Sequence, residues 1–307
     1  MTLQAHAPED TSGGVDLWNR IKTPLFYTIL VIWAVISLFP FWVSLVYSLK
    51  PVADAYTPPF WWPTPFTWKN YQTVLTEFKL FPRWLLNSTV IATVLTLMRP
   101  LFSAMGGYAF ARLRFPGRRL LFVSMLFSMM VPAQVLLIPR FLVIGPGVMR
   151  DLTIAGVEIP TGFDLLDSLL AVILPGIVDA FGLFMMTQFY QSFPKEIEEA
   201  ALIDGAGRFD IFFRIILPNS QTALLTLALF AFQGTWNDFL FPLIVLRTPE
   251  NFCRSLGLQW FRGEYYTLYS VVLAGSILNG LPLILIVSLF QRHFVRSVAV
   301  TGLQGVS

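Results

Sequence analysis

The residues of this 307-residue chain that could do chemistry are few and scattered. Its two histidines, His6 and His293, stand at opposite ends, and its one cysteine, Cys253, has no second thiol to pair with. Metal binding and acid–base catalysis need such groups clustered at one place, so no catalytic or metal-ligating set is assigned. No Gly-x-x-x-x-Gly-Lys-Ser/Thr phosphate loop occurs either, and ATP cannot be held in that manner. Two kinds of polar residue remain. Arg99, Gln134, Asp179, Asn237, Asp238 and Asn279 interrupt long apolar runs. A polar island at about 191–218 carries Glu199-Ala200-Ala201-Leu202-Ile203-Asp204-Gly205 and, nine residues past the glycine, Ile215-Ile216-Leu217-Pro218.

The elements that position these residues are dictated by solvent. With 55% hydrophobic and 13% charged residues, the chain has too little polar surface to solvate a globule of its size. Six low-charge stretches, 25–48, 85–111, 120–143, 168–190, 221–246 and 267–290, are long enough for a hydrocarbon core that needs about 20 helical residues. They are continuously apolar rather than alternating, which excludes an outer-membrane barrel and leaves an all-α polytopic bundle. The first stretch follows a mostly polar lead and lacks a small-residue cleavage site, so it reads as a retained helix behind a tail at 1–24, whose first part, 1–16, is expected to be disordered. The membrane domain then runs over 25–291 and a second tail over 292–307, with no separate soluble domain.

Orientation follows from Lys and Arg. The short loop 112–119 packs Arg112, Arg114, Arg118 and Arg119 against two helices, which places it, the island and both termini in the cytoplasm. Outside lie 50–84, rich in proline and aromatics, a loop at 144–167 with several acidic residues, and 247–266 with Trp260, Phe261, Tyr265 and Tyr266. Tryptophan and tyrosine favour the headgroup zone, so the aromatics of 50–84 anchor at the interface or form a sugar-stacking site, and those of 247–266 anchor there or touch an external partner.

Within the island, Pro194 suits a first helical turn, and Glu196, Glu198 and Glu199 complement the positive end of a helix dipole. Ile197, Ala200 and Ala201 are expected on one face, Gly205 and Gly207 to allow a sharp turn, and Phe209, Phe212, Phe213 and Ile216 to form an apolar second helix before Pro218. On spacing alone this is a helix-turn-helix at the membrane face, either an amphipathic loop under its own bundle or a handle for something else.

The residue string resembles the EAA loop of the membrane subunits of ATP-binding-cassette importers: Glu199, Ala200, Ala201, Gly205, Ile215, Leu217 and Pro218 match each fixed position. Tyr108-Ala109-Phe110-Ala111-Arg112-Leu113-Arg114-Phe115-Pro116-Gly117-Arg118 is similar to the first cytoplasmic loop of maltose-type carbohydrate permeases. So are Met130-Val131-Pro132 with Ile138-Pro139, Trp236-Asn237-Asp238-Phe239, and Gln291-Arg292-His293-Phe294 leading to Gly302-Leu303-Gln304-Gly305. The likeness covers about residues 25–305 and is to the shorter, six-helix partner of the permease pair. The loop 144–167 is longer than in relatives, and Gln304 stands where lysine is common.

The resemblance implies a type I importer permease that moves a carbohydrate by alternating access, with a polyol or glycerol-phosphate as the alternative cargo. It implies a second permease subunit, two ATPase subunits carrying ATP and magnesium, and an external solute-binding protein, with no cofactor on this chain. Glu199 would contact the ATPase, the alanines fit closely against it, and Gly205 set the angle. An ion-coupled secondary transporter is the competing class, since it too needs midplane polar groups. Gln134, Asn237, Asp238 and Asn279 are candidates for the substrate path or for bridging helices. Arg99 and Asp179, costly at membrane depth, either pair with each other or face a partner or a wet cavity.

Overall fold

The computed structural model describes residues 12–145, 153–154, 157–158, 165–264 and 268–304, with side chains for 22–145, 165–259 and 268–289. Most of the loop 144–167, expected on the outside, and the extreme ends therefore lie outside the described residues. Apart from one antiparallel pairing, Thr153–Ile154 with Val157–Glu158, the elements are helical. In chain order the main ones are α1 Ser12–Ser48, α2 Phe81–Arg112, α3 Arg118–Met130, α4 Leu137–Ile144, α5 Leu169–Ile173, α6 Ala180–Ser192 and α7 Glu196–Ile203. There follow α8 Arg208–Asn219, α9 Gln221–Asn237, α10 Leu240–Val245, α11 Arg254–Glu264 and α12 Tyr269–Gln304.

All six apolar stretches are helical, but they are built differently. Four helices, Lys22–Ser48, Phe81–Arg112, Leu169–Ser192 and Tyr269–Leu289, are long and apolar enough to cross a membrane, and α8 with α9 makes a fifth candidate bent by 76°. The third stretch, 120–143, is not one helix: it breaks at Val131–Leu136, between α3 and α4. The stretch 168–190 is interrupted between α5 and α6, and 221–246 at Asp238–Phe239. Pro132 and Pro175 sit at two of these breaks, where a missing N–H is tolerated, whereas Pro40, Pro100 and Pro282 lie inside unbroken helices. The first helix begins at Ser12, inside the segment expected as a disordered tail.

The chain divides into two compact units. In the first, residues up to Tyr71 and 268–277, α1 exposes nearly all of its apolar surface from Leu25 to Phe41. Beyond its end, Lys50 is fully buried and donates through Nζ to the Thr57 carbonyl at 2.7 Å, while Asn70 Nδ2 donates to the Ser48 and Lys50 carbonyls, both at 2.7 Å. The aromatic segment lies back on α1, Trp61 against Phe39 and Trp62 against Trp42, with both tryptophans still about two-thirds exposed (63% and 61%). This suits an interfacial anchor.

The second unit is organised by the crossing of α2 and α6. A Cβ at Gly107 would lie 2.6 Å from Met186 Cβ and 2.9 Å from the Met186 and Thr187 backbone, and one at Gly182 would lie 2.5 Å from Ser103 Oγ. Small residues let two membrane helices approach to backbone contact, where dispersion replaces the hydrophobic effect that lipid cannot supply. α9 packs beside them through Ala92, Phe232 and Trp236. At the far end Asp167, at φ 57°, makes a corner: its Oδ1 accepts from the Arg247 and Thr248 N–H groups at 2.8 and 3.0 Å, and its carbonyl from Asn251 Nδ2 at 2.6 Å. Burial pushes this carboxyl up, but the donors outweigh it and hold it below its ordinary value.

Because Gly107 faces backbone that cannot step aside, Gly107→Val should lower the unfolding free energy in detergent by roughly 3 kcal/mol through overpacking. Gly280→Ala, where the added Cβ meets nothing within 4 Å, should be neutral or stabilising by up to about 1 kcal/mol. Thermal unfolding of the purified chain separates the two; equal effects would remove the close crossing as the organising contact.

Candidate functional site

The polar island folds as the turn signals require. α7 starts after Pro194 and Lys195 with three acidic residues in its first turn, and it stops at Gly205, which has φ +83°. There the Ala206 N–H reaches back to the Ala201 carbonyl at 3.0 Å, the closure typical of a left-handed helix cap. A Cβ at Gly205 would touch nothing within 4 Å, so the demand for glycine is one of backbone conformation rather than of space.

The two adjacent glutamates go opposite ways. Glu199 is exposed, while Glu198 is 5% exposed and lies against the end of α2. Arg112 Nε approaches Glu198 Oε1 at 2.6 Å, an ion pair that falls short of a linear hydrogen bond, and both side chains are 6% exposed. Tyr108 Oη donates to Glu198 Oε2 at 3.2 Å, and the Arg112 guanidinium also donates to the Phe193 carbonyl at the end of α6. One charged cluster thus ties together α2, α6 and α7. Over it closes an apolar layer of Ala104, Tyr108, Met186, Tyr190, Ala201, Ile211, Phe212, Ile216 and Leu227, which adds α8 and α9. Tyr108 meets Tyr190 edge-on at 6.0 Å and Phe212 at 5.3 Å.

Sequence alone makes Glu198 a dipole partner and Arg112 a flanking charge; their pairing depends on how α7 sits against α2, which local sequence does not carry. The expected common face of Ile197, Ala200 and Ala201 is corrected likewise. Ala201 turns inward with Glu198, three residues apart, while Ile197 and Ala200 stay outside. The outward surface is apolar and charged together: Ile203 and Phe209 are 87% and 77% exposed beside Glu199. Next to it a cavity of about 1000 Å³ is rimmed by Arg114, Arg118, Lys195 and Arg208. Ile215 and Leu217 are half-buried and Pro218 is exposed at the start of the last turn of α8, just before the 76° elbow.

The polar residues of the apolar runs separate into two groups. Gln134 and Asp238 line a cavity of about 300 Å³ together with Arg99. Asn237 and Asn279 do not line it. The Asn237 side chain accepts from Arg254 at 3.2 Å; the same guanidinium donates to the backbone carbonyls of Asn279, at 3.0 Å, and of Trp236, and stacks over the Trp236 ring at 4.6 Å, while the buried Asn279 Oδ1 accepts no hydrogen bond among the described residues. Arg254, placed by sequence in an external loop, is 9% exposed. Burial pushes its guanidinium down to about 10, which leaves it charged at neutral pH. Arg99 and Asp179 do not form an ion pair: Arg99 Nε donates to the Gly176 carbonyl at 2.8 Å, and Asp179 Oδ2 accepts the Gly182 N–H at 2.9 Å as the cap of α6.

The family of binding-protein-dependent transport system inner membrane components matches residues 101–300. The chain belongs to that family. An arabinooligosaccharide transport system permease of Bacillus subtilis is 32% identical over 289 residues, covering 93% of this chain and 96% of its own length. A diacetylchitobiose uptake system permease of Streptomyces coelicolor is 28% identical over 92% of this chain and 89% of its own. An sn-glycerol-3-phosphate transport system permease of Pectobacterium atrosepticum is 30% identical over 91% of this chain and 96% of its own. A chain from the crystal structure of a bacterial ABC transporter that imports the acidic polysaccharide alginate superimposes with a TM-score of 0.76 at 24% identity, covering 95% of this chain and all of that one. The fold is that of a type I importer permease, and the matched segment contains the Arg112–Glu198 cluster and the lining of the 300 Å³ cavity except Leu95 and Arg99.

Removing one member of a buried ion pair strands the other charge. Arg112→Leu and Glu198→Leu should each lower the stability of this permease by on the order of 3 kcal/mol, and the double variant by less than the sum. Denaturant unfolding of the four proteins gives the coupling; strict additivity would show that the pair is not an interacting unit.

Proposed function

We propose that the chain is one permease subunit of an ATP-driven, binding-protein-dependent importer that carries a mono- or oligosaccharide across the inner membrane. Family membership and the carbohydrate systems of the relatives support the cargo class. A polyol or glycerol-phosphate is the second reading, favoured by the glycerol-3-phosphate relatives. In this reading both termini and α7 face the cytoplasm, consistent with the arginines clustered at 112–119. A second permease completes the pathway, two ATPase subunits bind ATP and magnesium, and a solute-binding protein delivers cargo from outside. A chain from the alginate transporter in complex with its alginate-bound periplasmic protein, TM-score 0.64, supports a bundle of this shape. This chain itself holds no nucleotide and no cofactor, and performs no reaction.

The observation that carries the proposal is the division of labour on α7. Its outward side offers Glu199, Ile203 and the exposed Ala200 to a cleft of an ATPase subunit, and its inward side is locked to α2 through Glu198. When the ATPases close, the docked helix is displaced, and the lock passes that displacement to α2 and α6 rather than letting α7 swing alone. The bundle then rocks between inward- and outward-facing states around a central site, as alternating access requires. Ion coupling would use midplane charges but gives no reason for a rigidly held, outward-facing Glu199.

Glu199→Lys reverses the docking charge, and Gly205→Val forces a branched side chain into a left-handed turn. In the assembled importer reconstituted in vesicles, each should cut ATP-dependent uptake at least tenfold and uncouple ATP hydrolysis from the loaded binding protein, while the permease still inserts. Normal transport by both would reject the assignment.

A further inference from the structure

The 300 Å³ cavity carries more information than a generic sugar path. It lies where all three helix breaks converge: Ala133 and Gln134 come from the α3–α4 break, Pro175 and Gly176 from the α5–α6 break, and Asp238 from the α9–α10 break. Non-helical backbone at membrane depth survives only where it lines a cavity or is buried in protein, so the meeting of three breaks on one space marks that space as built for a polar occupant. Its size takes one or two sugar rings, at the lower end of the usual pocket range of about 300–1000 Å³.

Its charges are unbalanced. Arg99 and Arg140 both line it, and Asp238 is the only carboxylate among the described lining residues. Arg99 and Arg140 interact repulsively with each other, and each is attracted to Asp238, which one carboxylate cannot satisfy twice over. Asp179, which caps α6 and does not line the space, attracts Arg99 more strongly than Asp238 does, from behind the lining. Arg99 is fixed through Nε on the Gly176 carbonyl, an approach that a side chain at 176 would disturb, since its Cβ would lie 3.3 Å from Arg99 Nη2. That anchoring leaves the terminal amino groups as the forked donor that oxyanions favour. Arg140 is exposed and, among the described residues, makes no side-chain hydrogen bond and no ion pair, so its guanidinium is open to a ligand.

We propose that this cavity is a carrying site for a sugar with a single oxyanion substituent, a carboxylate or a phosphate, clamped by Arg99 and Arg140, with Asp238 and Gln134 accepting from and donating to its hydroxyls. The inference rests on the import reading above and narrows its substrate class. Counted over its described lining residues alone, the cavity carries one cation more than it has carboxylates, which an anionic sugar matches and a neutral one does not.

The test uses the complete importer, assembled with its own partner subunits in vesicles, and three labelled solutes: a neutral disaccharide, the matching uronate disaccharide and a sugar phosphate. The wild type should import at least one of the two anionic solutes at ten times the rate of the neutral one or more, and which of them it imports tells carboxylate from phosphate. Arg140→Gln should reduce that anionic-to-neutral ratio at least tenfold and Arg140→Lys should recover part of it. A wild type that imports the neutral sugar in preference to both anions, or an Arg140→Gln ratio equal to that of the wild type, overturns the proposal while leaving the importer assignment intact. Failure to import any sugar with ATP present defeats both. The wild-type preference stands as a test even where the variant does not fold.

Discussion

Everything at the α7 end of this molecule depends on one buried contact, the ion pair of Arg112 with Glu198. Two charges withdrawn from water to 6% exposure are expensive, and a pair of this kind is weak evidence for stability. Its value here lies in geometry. Arg112 is the last residue of α2, Glu198 lies in the first turn of α7, and the same guanidinium holds the final carbonyl region of α6 at Phe193. A helix of eight residues has too few backbone bonds to keep its own orientation, and without such a tie α7 would be free to tilt under load. The apolar layer of Tyr108, Tyr190, Phe212 and Ile216 excludes water from the pair, which strengthens it and leaves each charge no alternative partner. Rigidity of α7 thus follows from the cost of breaking the contact rather than from its net contribution to folding.

The same logic of unsatisfied groups shapes the middle of the second unit. Helices α3 to α6, α9 and α10 are interrupted at 131–136, 174–179 and 238–239, and freed backbone groups need partners. Some are provided locally, as where Asp179 caps α6, and others by arginine, as at the Gly176 carbonyl. Farther along, Arg254 donates to the carbonyls of Trp236 and Asn279, so α11 is secured to the end of α9 and to the body of α12 by a buried cation stacked on indole. The close crossing of α2 with α6 through Gly107 and Gly182 then links the α7 end to these broken segments along two stiff helices.

Much of this was legible in the sequence, for identifiable reasons. Six apolar stretches stand out because lipid demands length and continuity, and Gly205 stands out because only glycine enters a left-handed cap without penalty. Proline is ambiguous in sequence: Pro100 and Pro282 lie inside continuous helices, while Pro132 and Pro175 mark breaks. Neighbouring Glu198 and Glu199 look alike on paper, yet one is buried and the other exposed, since the rotation of α7 is set by packing on α2. Arg112 and Arg254 both read as flanking charges from hydropathy. Asn237 and Asn279 have the residue type for a substrate path, yet neither lines the cavity: the Asn237 side chain accepts from Arg254, and Asn279 offers that arginine its backbone carbonyl.

The central claim is that α7 moves only together with α2. Spin labels at Glu196→Cys on α7 and Leu97→Cys on the exposed side of α2, with Cys253→Ala, report it directly by pulsed dipolar distance measurement in the assembled importer, without nucleotide and with ATP trapped. The account predicts one narrow distance distribution that is the same in both states, and a broadened one once Arg112→Leu is added. A distribution that shifts between the two states in an importer that still transports would contradict it.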